Sequence, residues 1–150
     1  GIPANVVTVG SERFKAIDAL IAKWRKTGVV TGLSKEIVSS NEKRYFISQL
    51  PTNLKAADMA VLDTEFNFTA SHNTDVQLAW YTLAIRHHYI QANNNIRAYL
   101  LENGRMWHII PLYKELMTTT EGAKIARAIY KEARPNYHPM TYQAIDKLLK

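Results

Sequence analysis

The stretch from residue 74 to residue 89 most constrains the fold of this 150-residue chain, because it is apolar on two faces when drawn as a helix. One stripe consists of Val76, Ala79, Trp80, Leu83 and Ala84, and the other consists of Leu78, Tyr81, Ile85 and Tyr89. A helix with one apolar face covers a surface, whereas a helix with two such faces is buried between neighbours. The sequence therefore predicts stacked layers of helices rather than a simple four-helix bundle.

Helical spacing of apolar residues recurs along the rest of the chain, and no segment alternates convincingly as a strand would. Further helices are predicted at about residues 11–27, 41–50, 53–65, 91–102, 109–116, 121–133 and 139–148, with a short turn after Ser34. Ser11 and Thr120 are the expected caps of two of them, and Pro111 is expected only near a first turn. The predicted fold is all-α, with about seven to nine helices paired into an armadillo- or HEAT-like α-α superhelix.

Residues 1–10 differ from the rest because they hold the β-branched cluster of residues 6–9. We predict an extended lead-in or linker there, followed by a single helical domain over residues 11–150. The chain starts at Gly1 rather than methionine, so we expect it to be processed or cut from a longer protein. No apolar run is long enough for a membrane span, and we expect a cytoplasmic protein without a membrane partner.

The net charge of +6 raises the possibility of a nucleic-acid partner. The lysines and arginines are scattered along the chain, however, and the aromatic residues are not interleaved with them as in a base-stacking surface. Basic charge that is spread over helical surfaces is typical of a soluble protein. We therefore predict no nucleic-acid partner.

The sequence contains no recognisable catalytic or metal-binding constellation. His87 and His88 are adjacent, so they point about 100° apart on a helix, and His72, His108 and His138 have no second histidine at metal-ligand spacing. There is no cysteine, and H-E-x-x-H, G-x-S-x-G, Walker and dinucleotide-binding motifs are all missing from these 150 residues. We therefore predict neither a catalytic residue nor a metal ligand in this chain.

One polar break between two strongly apolar helices stands out, at residues 103–108 with the sequence Asn-Gly-Arg-Met-Trp-His. Arg105 carries a permanent charge on a fork of donors that suits a carboxylate. Two interpretations are open at this point: Arg105 binds a carboxylate ligand, or it binds helix-end carbonyl groups or pairs with Glu102.

The same break begins a set of motifs that resembles the leukotriene A(4) hydrolase family and its bacterial aminopeptidase relatives. Several ordered segments are similar to that family: Phe66-Asn67, Ser71, Asn73, Asp75-Val76, Trp80, Gly104-Arg105-Met106, Pro111-Leu112-Tyr113-Lys114-Glu115-Leu116 and Tyr137-His138-Pro139-Met140-Thr141. The similarity is good from Leu62 to Leu149, and it is looser but in order from Gly1 to Leu50. Gly1-Ile2-Pro3 resembles the linker that follows the family's catalytic domain.

This resemblance implies that the chain is the non-catalytic, C-terminal helical domain of a zinc aminopeptidase. In the family, the zinc ligands and the general base lie in a separate catalytic domain of the same polypeptide, against which the helical domain packs. The family's arginine in G-R-M reaches into the cleft and holds the C-terminal carboxylate of the peptide substrate. That role would fall on Arg105 here, while the zinc would be bound by the parent's catalytic domain.

The sequence departs from the vertebrate members two residues after this arginine, where they have lysine and this chain has Trp107. Trp107 is a candidate for apolar or stacking contact with a peptide, or for packing between helices. The change favours a bacterial-type aminopeptidase with broader substrates over the epoxide-lipid activity of the vertebrate enzymes. A rival from another class is a free-standing helical module that binds a protein partner.

Overall fold

The fold is described from a computed structural model, which covers the backbone of residues 4–150 and the side chains of residues 12–150. Those residues form nine α-helices and no strand, which confirms the predicted all-α class. The helices are α1 Ala4–Thr27, α2 Leu33–Glu36, α3 Ser40–Ser48, α4 Ala56–Phe66, α5 Thr74–Arg86, α6 Asn93–Glu102, α7 Met106–Leu116, α8 Thr120–Ala133 and α9 Pro139–Leu148. None of the described helices combines the length and apolar character that crossing a membrane requires.

The chain divides into two compact units, residues 1–68 and residues 69–150. The boundary falls just before Thr69, and the predicted single domain over residues 11–150 stays a prediction.

Helix α1 begins earlier than the sequence predicts. It starts at Ala4, so the extended segment predicted for residues 1–10 is wrong for residues 4–10, and residues 1–3 lie outside the described part. Ser11, the predicted cap, lies within the helix, and its side chain is not described. β-branched residues lower helix propensity by at most about 0.7 kcal/mol each, so a short cluster of them is a weak reason to exclude a helix.

In the first unit, aromatic and apolar side chains form the core. Phe66 and Phe68 stack with ring centroids 4.5 Å apart, and Phe46 packs against both. The carboxylate of Glu65 on α4 accepts hydrogen bonds from the N–H of Gly32 at 3.1 Å, the N–H of Ser34 at 3.0 Å and the Ser34 hydroxyl at 2.7 Å. The bonds from Ser34 hold the pKa of Glu65 below its ordinary value and tie the start of α2 to α4.

In the second unit, α5 is buried on both of its predicted apolar faces. Trp80 and Tyr81, one from each stripe, are 0% and 1% exposed, and α5 packs against α7. The Trp80 indole N–H donates to the Thr69 hydroxyl at 2.9 Å, and the Tyr81 hydroxyl donates to the Thr69 carbonyl at 2.7 Å. These bonds satisfy the polar ends of two large buried side chains, and they hold the segment that leads into α5 against the helix.

The cap of α8 and the position of Pro111 in α7 differ from the sequence predictions. Helix α8 begins at Thr120, and its cap is Thr119, whose hydroxyl accepts from the Gly122 N–H at 3.0 Å, so the predicted cap Thr120 is wrong by one residue. Pro111 lies in the interior of α7 rather than near its first turn. An interior proline costs about 3 kcal/mol, and the complete burial of Ile109, Leu112 and Tyr113 on this helix offsets that cost.

A chain of buried hydroxyl groups ties the end of α6 to the segment before α9. The Tyr137 hydroxyl donates to the Leu100 carbonyl at 2.5 Å, and this carbonyl lies in the last turn of α6, where helical carbonyls lack an amide partner. The Tyr113 hydroxyl lies 3.0 Å from the Tyr137 hydroxyl. Because Tyr137 already donates to the carbonyl, Tyr113 is the donor of this second bond. Burial, followed by this bond, raises the pKa of Tyr113.

We expect Tyr137→Phe to lower the free energy of unfolding by about 1–3 kcal/mol, because it leaves the Leu100 carbonyl and the Tyr113 hydroxyl unpaired in the core. Tyr113→Phe is the matched control, since it removes a donor but leaves the bond from Tyr137 to Leu100 in place. Denaturant unfolding of both variants measures the difference. Equal losses for the two variants would contradict the assignment of donor and acceptor.

Candidate functional site

A cavity of about 820 Å³ opens in the second unit, where α6 ends and where α5 and α7 begin. It is lined largely by polar side chains from these helix ends, from α6 and from the segment that leads into α5. The lining residues are Thr69, Ala70, Ser71, His72, Thr74, Gln77, Tyr81, Asn95, Ala98, Tyr99, Glu102, Asn103, Gly104, Arg105 and His108. The polar break predicted at residues 103–108 therefore forms part of a concave surface.

Arg105 lies at the edge of this cavity as the residue immediately before α7. Its backbone is extended, with φ −80° and ψ 118°, and its side chain is exposed. Its guanidinium group forms no hydrogen bond or ion pair with any described side chain or carbonyl, so it neither binds helix-end carbonyls nor pairs with Glu102. The exposed charge is available to a ligand.

The start of α7 adds to the positive potential around Arg105. The first N–H groups of a helix have no partner within it, and together they act as roughly half a positive charge. The Arg105 carbonyl accepts from the N–H of His108 at 3.0 Å and of Ile109 at 3.2 Å, and the arginine side chain has no acceptor with which to cap the remaining N–H groups. A carboxylate near Arg105 would therefore meet both a guanidinium group and the positive end of a helix.

Asn103 connects the parts of the site. Its Oδ1 accepts the Arg105 backbone N–H at 3.0 Å, and its Nδ2 lies 3.4 Å from Nδ1 of His108. The other ring nitrogen of His108, Nε2, lies 3.5 Å from Oδ1 of Asp75 in the first turn of α5. These contacts join the end of α6, the start of α5 and the start of α7 around one side of the cavity.

Tyr99 also lines the cavity and bonds to the segment at the start of α5. Its hydroxyl donates to the Thr74 carbonyl at 3.3 Å. Burial, followed by the negative charge of Asp75, raises the pKa of Tyr99, while a hydrogen bond from Asn103 acts in the opposite direction. The hydroxyl therefore stays protonated as a structural donor.

Trp107, the second predicted substrate-binding residue, is 80% exposed in the first turn of α7 and does not line this cavity. The structure thus brings Arg105 to the cavity and leaves Trp107 beside it on the surface of the helix. The contact of Trp107 with a peptide stays a prediction.

The histidines are distributed over separate places in the fold. His108 and His72 lie at the cavity, His87 and His88 lie at the end of α5, and the Nδ1 atom of His138 accepts the Met140 N–H at 3.1 Å at the start of α9. Among residues 12–150, no three His, Asp or Glu side chains come together closely enough to hold a metal ion.

Comparison with known protein families identifies the chain. Residues 38–149 match the model of the family described as leukotriene A4 hydrolase, C-terminal. The chain belongs to this family. The match covers well over half of the 150 residues, and it includes the whole cavity with Arg105 and the segment before α9.

Membership of the leukotriene A4 hydrolase C-terminal family confirms both the resemblance seen in the sequence and the predicted fold class, an α-α superhelix. Leukotriene A4 hydrolase-like proteins are zinc hydrolases, and this family is their C-terminal domain. The sequence singled out Arg105 but missed Asn103, Tyr99 and Asp75 as its surroundings. Only the Asn-Gly pair before the helix was a local signal, because asparagine often accepts a backbone N–H two residues ahead.

Proposed function

We propose that this chain is the non-catalytic C-terminal domain of a zinc-dependent aminopeptidase, in which Arg105 holds the C-terminal carboxylate of a peptide substrate. The observation that supports this proposal best is the exposed guanidinium group of Arg105, which lines the cavity and forms no ion pair with a described residue. Family membership supports the aminopeptidase context. Arginine suits the role because its planar fork of donors binds a carboxylate with two parallel hydrogen bonds.

The side chains of this domain indicate which tasks it performs and which belong to the catalytic domain. The described residues offer a cationic binding group and polar contacts but no cluster of metal ligands. We therefore assign the zinc and the general base to the catalytic domain of the same polypeptide, where a bound zinc would polarise the peptide carbonyl and activate water. This chain packs against that domain, closes one side of the substrate cleft and orients the peptide by its carboxylate end.

The reading frame upstream of the codon for Gly1 tests the parent enzyme. We expect an in-frame H-E-x-x-H motif followed by a downstream glutamate, the zinc-binding set of this kind of peptidase. A start codon at or just before Gly1 would instead favour the rival function, a free-standing helical interaction module. If the H-E-x-x-H motif is found, the purified parent protein should release N-terminal residues from peptides and should lose this activity when zinc is chelated.

Trp107→Ala tests the proposed contact with the peptide. Because Trp107 is 80% exposed, we expect the free energy of unfolding of the chain to change by less than about 0.5 kcal/mol. In the parent enzyme, loss of an aromatic contact should raise KM for peptides by about three- to ten-fold. An unchanged KM would show that Trp107 does not touch the substrate.

A further inference from the structure

We infer that Asn103 is a positioning residue for Arg105. Its side-chain amide accepts the Arg105 backbone N–H and also contacts His108 in the first turn of α7. This inference rests on the proposed role of Arg105 in substrate binding. Asn103 itself is not assigned a contact with the substrate. Its effect on peptide hydrolysis is expected to pass through Arg105.

The first step is the bond across Gly104. The Asn103 Oδ1 atom accepts the Arg105 N–H at 3.0 Å and closes a tight turn over the single residue between them. A side chain at Gly104 would meet no heavy atom within 4 Å, so packing does not hold this residue in place. Since glycine has the widest backbone freedom, the bond from Asn103 restrains the link between the end of α6 and Arg105, whose carbonyl is already held by the first turn of α7.

The second step is the orientation of the Asn103 amide. A backbone N–H needs an acceptor, so the amide oxygen must face Arg105, and the amide NH2 group then faces Nδ1 of His108 at 3.4 Å. That nitrogen accepts only when the proton of the neutral ring is on Nε2, and Nε2 is the atom that faces the Asp75 carboxylate at 3.5 Å. Each group in this series therefore presents the donor or acceptor that its neighbour requires.

The third step is the anchoring of Asn103 itself. Its backbone N–H donates to the Tyr99 carbonyl at 2.9 Å, which closes the C-terminal end of α6. Tyr99 is 5% exposed and bonds to the Thr74 carbonyl at the start of α5. The backbone of Asn103 is thus bonded to a residue whose side chain is buried, and the bond from the Arg105 N–H to Oδ1 of Asn103 extends this restraint to Arg105.

We expect Asn103→Ala in the parent enzyme to lower kcat/KM about 10-fold for peptides with a free C-terminal carboxylate, mainly through KM. The loss should be much smaller for the same peptides with an amide at the C-terminus, because Arg105 has no carboxylate to hold there. Asn103→Ser keeps an acceptor for the Arg105 N–H and should recover most of the loss. A serine variant as impaired as the alanine variant would overturn the inference.

A double-mutant cycle separates positioning from a general structural role. In an Arg105→Ala background, Asn103→Ala should have little further effect on kcat/KM. An undiminished 10-fold loss in that background, or an equal loss for amidated peptides, would show that Asn103 acts independently of Arg105 and would overturn the inference. If Arg105→Ala by itself costs nothing, the proposed function fails and this inference fails with it, whereas a costly Arg105→Ala with a neutral Asn103→Ala overturns only the inference. Should Asn103→Ala fail to fold, Asn103→Leu, which also removes the acceptor but keeps the size of the side chain, replaces it in both backgrounds.

Discussion

Replacing Gly122 with alanine is expected to lower the free energy of unfolding by about 3 kcal/mol. Gly122 is buried in the first turn of α8, and a methyl group built on it would lie 2.1 Å from the Leu116 carbonyl oxygen and 2.8 Å from the Thr119 hydroxyl. Both neighbours are fixed: Leu116 belongs to α7, and the Thr119 hydroxyl caps α8 by accepting the Gly122 N–H. The added methyl group must displace the connection between two helices.

Gly104→Ala is the matched control, since it adds the same methyl group in a loop where no heavy atom lies within 4 Å. We expect it to leave the stability unchanged or to raise it by about 0.4–1 kcal/mol, because alanine reduces the freedom of the unfolded chain. Denaturant unfolding of the two variants side by side measures the contrast. A Gly122→Ala variant as stable as Gly104→Ala would show that α7 and α8 can separate at little cost, contrary to the packing described above.

Arg105→Ala is expected to have the largest effect on function. In the parent enzyme it should weaken transition-state binding of free-carboxylate peptides by about 1.5–3 kcal/mol, which corresponds to about a 10- to 150-fold loss in kcat/KM. The physical reason is the loss of charge-assisted hydrogen bonds to the substrate carboxylate. The folding stability should change little, because the side chain is exposed and forms no bond with the described residues.

Arg127→Ala is the control for a general effect of removing an exposed positive charge. Arg127 lies on α8, donates to the Leu149 carbonyl at 3.1 Å and does not line the cavity. Its removal should leave peptide hydrolysis unchanged. If both arginine variants lost activity equally, long-range electrostatics rather than a specific contact would explain the result.

The helical architecture was predictable because apolar residues at helical spacing carry most of the information. The two stripes on α5 predicted its burial, and both of its largest aromatic side chains, Trp80 and Tyr81, are fully buried. The start of α1 was not predictable in this way, since the β-branched residues 6–9 disfavour a helix only weakly. The prediction that Pro111 lies near a first turn was wrong for a related reason. The free-energy cost of a proline inside a helix is exceeded by the gain from burying its neighbours, which only the tertiary structure reveals.

The candidate site was predictable only at its most exposed point. Arg105 stood out because it lies in a polar break between apolar helices, but its proposed role came from the family resemblance rather than from its spacing. The contacts of Asn103 with His108 and of His108 with Asp75 join residues on three helix ends. Such contacts depend on how helices meet in space, and helical periodicity does not determine that.

The most direct test of the central claim is the ratio of kcat/KM between a free-acid tripeptide and its C-terminal amide, measured for the wild-type parent enzyme and for Arg105→Ala. We predict that the wild-type enzyme prefers the free acid and that the variant loses this preference, because only the acid presents a carboxylate to Arg105. A variant that keeps the full wild-type preference for the free acid would contradict the assignment of Arg105 as the carboxylate-binding residue.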